Sequence, residues 1–158
     1  MDDLQALIEK IRKNVVAEAE QRFADETFQH LRYSIHNGRM PDAESFACLA
    51  GDSGETMEIY LRFRNKCVDK ATYVTDGDLQ SCLCGSCIAE LSIGKTVKQL
   101  LEMKASDIQK RMKRSGEGLE KSAILAVETL HKAVENYWLT TQSAEAELLK
   151  KNRETRFI

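Results

Sequence analysis

The hydrophobic period of this chain changes from a helical repeat to a strict alternation and then back to a helical repeat. Residues 4–22 carry apolar side chains at helical spacing, which predicts an amphipathic N-terminal helix. Residues 55–64 alternate polar and apolar, which predicts a half-buried strand. Residues 69–76 are rich in β-branched and aromatic side chains, and Asn65-Lys66 indicates a turn before them. We therefore predict an antiparallel hairpin around 55–64 and 69–76.

Helical patterns surround this hairpin. We predict helices over 25–36, 79–93, 96–102, 106–112 and 120–151, and a loop over 39–53. Together these elements predict an α+β domain, with helices packed on one face of a small antiparallel sheet. It would carry an extra N-terminal helix and a long C-terminal helix. We expect an N-terminal helical extension at 1–22, a central domain at 23–138 and a C-terminal helical extension at 139–158.

Charge and composition exclude several classes of partner. The chain has 158 residues and a net charge of −2, and its basic residues are scattered among acidic ones, so we expect no nucleic-acid partner. It has no apolar run long enough to span a bilayer, so we expect no membrane association. The first residues lack the basic start and apolar core of a signal peptide. Five clustered cysteines then indicate reduced thiols in the cytoplasm.

Several motifs at fixed spacing resemble the NifU/IscU-type iron–sulfur cluster assembly scaffolds, the NifU N-terminal domain family. The resemblance covers roughly Phe23 to Trp138 and is densest in the centre of the chain. The similar segments are His36-Asn37-Gly38-Arg39-Met40-Pro41-Asp42-Ala43, Ser53-Gly54-Glu55-Thr56-Met57, Ala71-Thr72-Tyr73-Val74-Thr75-Asp76-Gly77-Asp78, Cys84-Gly85-Ser86, Ile93-Gly94-Lys95-Thr96 and Ser122-Ala123-Ile124-Leu125-Ala126.

The resemblance implies a scaffold protein rather than an enzyme, with a cysteine desulfurase or other iron–sulfur assembly proteins as partners. It also implies three cluster-binding cysteines, but their positions here carry Ser53, Asp78 and Ser122. Glu55 takes the place of the family's neighbouring acidic residue, and Lys121 stands where one branch often has histidine. Iron–sulfide clusters need soft thiolate ligands. We therefore expect weak binding of iron or a labile cluster, or a non-loading interaction partner of the assembly machinery.

Cys82, Cys84 and Cys87 form a C-x-C-x-x-C pattern close to Asp78. This pattern suggests a second hypothesis, a thiol-based module that binds zinc or iron with these three cysteines, the fourth ligand being Asp78, Cys48 or Cys67. A regular helix places Cys84 and Cys87 on one face and turns Cys82 away, so convergence requires the helix to unwind through Cys84. Core packing of the three cysteines is the simpler explanation. A third hypothesis is a structural protein that forms homo-oligomers through its N-terminal and C-terminal helices.

Overall fold

The structure, a computed structural model, describes residues 2–22, 36–113 and 116–155. Helix α1 is followed by three strands and then by four further helices in the described part of the chain. Their bounds are α1 Asp2–Arg22, β1 Ser45–Ala50, β2 Thr56–Arg64, β3 Cys67–Thr75, α2 Leu79–Ser92, α3 Val97–Leu101, α4 Ala105–Met112 and α5 Glu117–Thr155. The predicted α+β class is therefore confirmed, with its N-terminal helix and its long C-terminal helix.

The three strands form one antiparallel sheet in the order β1-β2-β3. The predicted hairpin is confirmed as β2 and β3, which pair from Met57 opposite Thr75 to Arg64 opposite Cys67. Asn65 and Lys66 form its turn with φ angles of 54° and 66°. Positive φ angles at both central residues match the twist of the strands they connect.

The predicted loop over 39–53 is wrong at β1, which pairs with β2 through Phe46 opposite Tyr60. This strand is only six residues long, and its exposed Phe46 and Cys48 are as apolar as the buried Ala47, so the sequence does not alternate as a half-buried strand does. Contacts with α5, rather than a local sequence pattern, hold β1 in place. The Ser45 hydroxyl donates to the Ala133 carbonyl of α5 at 2.8 Å, and the Asn136 amide donates to the Phe46 carbonyl at 3.0 Å.

The core lies between one face of the sheet and the helices that cover it. Met57, Ile59 and Leu61 alternate along β2 and are fully buried. Helices α2, α4 and α5 supply the opposing apolar side chains, and Phe63 stacks on Tyr137 of α5 with ring centroids 3.8 Å apart. This packing holds the start of α5 beside α2, where the candidate site lies.

The predicted helices after the sheet are confirmed, with boundary shifts. Thr96 caps α3 through a reciprocal pair of hydrogen bonds with Gln99. Helix α5 begins at Glu117 rather than at Glu120. The helix predicted over 25–36 falls almost entirely outside the described residues, and the division into 1–22, 23–138 and 139–158 stays a prediction. No described helix combines the length and the apolar character needed to cross a membrane.

Candidate functional site

One end of the sheet brings together the β1–β2 turn and the segment that follows β3. The Thr56 amide donates to the Asp76 carboxylate at 2.6 Å, and the Thr75 hydroxyl donates to the Thr56 carbonyl at 2.6 Å. The Gly77 amide in turn donates to the Thr75 hydroxyl at 3.1 Å. These bonds fix the direction in which the chain leaves β3, and therefore the position of Asp78.

Asp78 begins α2 and connects it to α5. Its carboxylate accepts hydrogen bonds from the Ser81 amide at 3.1 Å and from the Ser81 hydroxyl at 3.2 Å, as an N-cap residue does. The Ser81 and Ser122 hydroxyl oxygens lie 3.4 Å apart. Because Ser81 gives its one hydroxyl proton to Asp78, Ser122 is the donor in this second bond. The structure thus brings together two of the three predicted ligand positions, Asp78 and Ser122, through Ser81.

This hydrogen-bonded set contains a carboxylate and two hydroxyl groups, but no thiol. Ser81 and Ser122 are buried, whereas Asp78 is exposed. The backbone of Gly77 packs closely over this set, since a Cβ atom there would lie 2.7 Å from the Ser81 Cβ atom. The space around Ser81 is therefore filled by the protein itself, and its hydroxyl is already committed to structural hydrogen bonds.

The other predicted residues of this site are placed differently. Ser53 is exposed in the β1–β2 turn, and Lys121 is exposed on α5. The Glu55 carboxylate folds back against Gly51, and the Gly51 amide donates to the Glu55 carbonyl at 2.7 Å. One Glu55 carboxylate oxygen is buried and has no hydrogen-bond partner in the described structure. Neither Ser53 nor Lys121 has a hydrogen bond to Asp78, Ser81 or Ser122 among the contacts of the described residues.

The cysteines of the C-x-C-x-x-C pattern lie on a helix that is regular from Leu79 to Ser92, with no unwinding through Cys84. Cys84 and Cys87 are fully buried in the core, and the Cys84 thiol donates to the Leu119 carbonyl at 3.9 Å. Burial raises the pKa of Cys84 and of the half-buried Cys82. Forming the thiolates that a metal requires therefore costs more at these positions than at an exposed cysteine.

Among the described residues, no three side chains of His, Cys, Asp or Glu are grouped so that they could hold a metal ion. A metal site made of Asp78, Cys82, Cys84 and Cys87 therefore stays a prediction, and it requires a rearrangement of α2.

Ser81 is the functional-site residue that the sequence reasoning missed. A serine three residues after a helix-capping aspartate is a recognisable partner for the cap, and this spacing could have identified it. Gln80 was also missed. Its side-chain oxygen is buried without a partner in the described structure, and it lies against Gly118 at the start of α5.

The fold and site define an α+β domain in which the ends of two strands meet the starts of two helices. Residues 22–144 match the family model of the NifU-like N-terminal domain, and the chain belongs to this family. No curated protein matches the chain.

Solved structures with TM-scores above 0.5 share this fold at low sequence identity. A candidate iron–sulfur cluster assembly scaffold protein for the SUF system from Fervidobacterium islandicum is 15% identical, with a TM-score of 0.55 over 71% of this chain and 96% of that one. A hypothetical protein is 18% identical, with a TM-score of 0.52 over 80% and 98%. A NifU-like protein (N-terminal) from Brucella abortus is 18% identical, with a TM-score of 0.49 over 65% and 84%.

Proposed function

We propose that this protein is a non-loading partner in iron–sulfur cluster assembly, which keeps the scaffold fold but holds no cluster at the family's ligand positions. It acts by binding other proteins rather than as an enzyme. One observation carries the proposal. Two of the three ligand positions, Asp78 and Ser122, are joined through Ser81 in a hydrogen-bonded set that contains no thiol.

The chemistry of this set does not fit an iron–sulfur cluster. Clusters are held by thiolates, because the iron of an iron–sulfide core prefers soft anionic sulfur ligands. A serine hydroxyl stays protonated at neutral pH, and Asp78 offers a hard oxygen that suits other cations. Asp78 also caps α2, and both hydrogen bonds from Ser81 end on its Oδ1 atom, so only its other carboxylate oxygen is left for a cation.

The neighbouring thiols do not supply the missing ligands. Cys84 and Cys87 are fully buried on a regular helix, and burial keeps the pKa of Cys84 raised. Releasing these thiols to a metal would cost the core packing they provide, since each buried cysteine behaves as a small apolar side chain. This burial also weighs against the alternative of a zinc- or iron-binding thiol module. A weakly held ferrous ion at Asp78 is the most that the exposed groups offer.

Family membership supports docking with the assembly machinery in the cytoplasm, a cysteine desulfurase being the first candidate partner. Docking depends on a surface rather than on thiolates, so loss of the ligands leaves it possible. The five cysteines are free thiols, which suits a reducing compartment. The net charge of −2 gives no electrostatic reason to expect nucleic acid as a partner.

Anaerobic reconstitution tests the proposal. The purified chain is given ferrous iron, sulfide and a thiol, and its visible absorption is recorded together with bound iron and sulfide. We expect no sulfide-to-iron charge-transfer band in the natural chain. A Ser53→Cys/Asp78→Cys/Ser122→Cys variant should acquire the band, whereas the matched triple alanine variant should not. A stoichiometric band in the natural chain would overturn the proposal.

The docking part of the proposal has its own test. Calorimetry of the purified chain with the cysteine desulfurase from the same organism should show binding, and the triple alanine variant should bind with the same affinity. Equal affinity is expected because the proposal makes the ligand positions irrelevant to docking. No binding to the desulfurase would remove it as the partner.

A further inference from the structure

Helix α1 exposes a continuous apolar face. Leu4, Leu7, Ile8 and Ile11 leave 63%, 53%, 42% and 52% of their surface accessible. Their spacing of three and four residues places them on one side of the helix. Contiguous apolar patches of this kind on a soluble protein mark interaction surfaces.

A second apolar surface lies between α3 and α5. It is a groove of about 860 Å³, lined by Val97 and Leu101 of α3 and by Val134, Tyr137 and Trp138 of α5. Leu101 and Trp138 are about half exposed, so the groove is open to solvent. A groove with helical walls and an apolar floor is the kind of surface that accepts the apolar face of an amphipathic helix.

The charges around the two surfaces are complementary. The groove is bordered by Lys98 on α3 and by Glu145 on α5. Helix α1 carries Asp3 at one end of its apolar row and Arg12 at the other, about 14 Å apart along the helix axis. The groove is also lined by Lys66 and Glu135, and α1 also carries Glu9 and Lys10. Both surfaces therefore combine an apolar centre with charges of both signs, so a helix in the groove could pair acidic with basic side chains.

We propose that α1 of one copy of this chain occupies the α3–α5 groove of a second copy, and that the exchange is reciprocal. A second copy is favoured because both surfaces are exposed within a single chain, so α1 does not fill its own groove. Every copy supplies one helix and one groove, and a two-fold dimer satisfies both at once. The inference is independent of the proposed role in cluster assembly.

Sedimentation velocity of the full chain over a range of concentrations tests the dimer. The natural chain should dimerise. A Leu7→Glu/Ile11→Glu variant should raise the dissociation constant at least about tenfold, because it places two charges in an apolar contact. Ala6→Glu adds a charge to the same helix away from this face and is the matched control, which should dimerise like the natural chain.

A second variant, Leu101→Glu/Trp138→Glu, tests the groove. It should be monomeric at concentrations at which the natural chain dimerises. Both side chains are about half exposed, so the fold should tolerate them, and circular dichroism checks that it does. If this variant unfolds, Leu101→Glu alone replaces it, with the same expected loss of dimer.

Mixing the two monomeric variants distinguishes a reciprocal exchange from other contacts. The intact α1 of the groove variant can enter the intact groove of the α1 variant, so a heterodimer with one helix–groove contact should form. A natural chain that stays monomeric at all concentrations would overturn the inference. A dimer that survives either variant, or a mixture that gives no heterodimer, would also overturn it.

Discussion

Gly85 of α2 packs directly against the Tyr73 ring of β3, and its replacement by alanine tests this packing. A Cβ atom at Gly85 would lie 2.8 Å from Cγ and 3.0 Å from Cε2 of the Tyr73 ring. That ring is 3% exposed on β3, so it has little room to move aside. Overpacking of this kind costs about 1–3 kcal/mol of unfolding free energy. Alanine regains about 1 kcal/mol of helix propensity at the same position.

Contacts of 3.0 Å or less with a buried ring place the overpacking cost in the upper part of this range, about 2–3 kcal/mol. After about 1 kcal/mol is regained from helix propensity, we expect Gly85→Ala to lower the free energy of unfolding by about 1–2 kcal/mol. Urea denaturation measures this. With a slope near 2 kcal/mol per molar, the midpoint should fall by about 0.5–1 M. Gly118→Ala is the matched control, because its Cβ atom would meet only the flexible end of Gln80. Its midpoint should stay the same or rise. A Gly85→Ala midpoint at or above that of the natural chain would refute the close packing of α2 on β3.

Three further predictions concern single side chains. Asp78→Ala should lower the free energy of unfolding by about 1 kcal/mol through loss of the α2 cap, whereas Asp78→Asn should keep most of it, as urea denaturation would show. The Arg62 guanidinium lowers the pKa of Asp69 below its ordinary value of 3.8. Ionised Asp69 therefore stabilises the fold above pH 3.8, and this contribution is lost as the pH falls through the lowered pKa of Asp69. Arg62→Gln should thus be less stable than the natural chain at pH 7 and should converge with it in acid. Pulse alkylation followed by mass spectrometry should modify the exposed Cys48 in the native protein and Cys84 only after unfolding; equal rates would contradict the burial of α2.

The sheet shows how far local sequence patterns reach. β2 and β3 are predictable because Met57, Ile59 and Leu61 alternate with polar residues over a long run, and Asn65-Lys66 suits a tight turn. β1 is not predictable in this way. Its order depends on pairing with β2 and on hydrogen bonds with α5, and neither contact leaves a period in the sequence.

The candidate site was partly predictable for a different reason. Asp78 and Ser122 were identified only because family motifs mark their positions, since neither residue type carries a chemical signal of its own. Ser81 links them because its hydroxyl contacts that of Ser122, which lies 41 residues later in the sequence. No local pattern encodes such a contact. The burial of Cys84 and Cys87 was favoured by helix geometry, but it was decided by how α2 packs against α5.

The most direct measurement of the central claim is the iron and sulfide content of the natural chain after anaerobic reconstitution, beside the Ser53→Cys/Asp78→Cys/Ser122→Cys variant. We expect no charge-transfer band and no retained sulfide in the natural chain, and a band in the variant. A stoichiometric cluster in the natural chain that is lost when Cys82, Cys84 and Cys87 are replaced by serine would contradict it, because those thiols would then have left the core to bind iron.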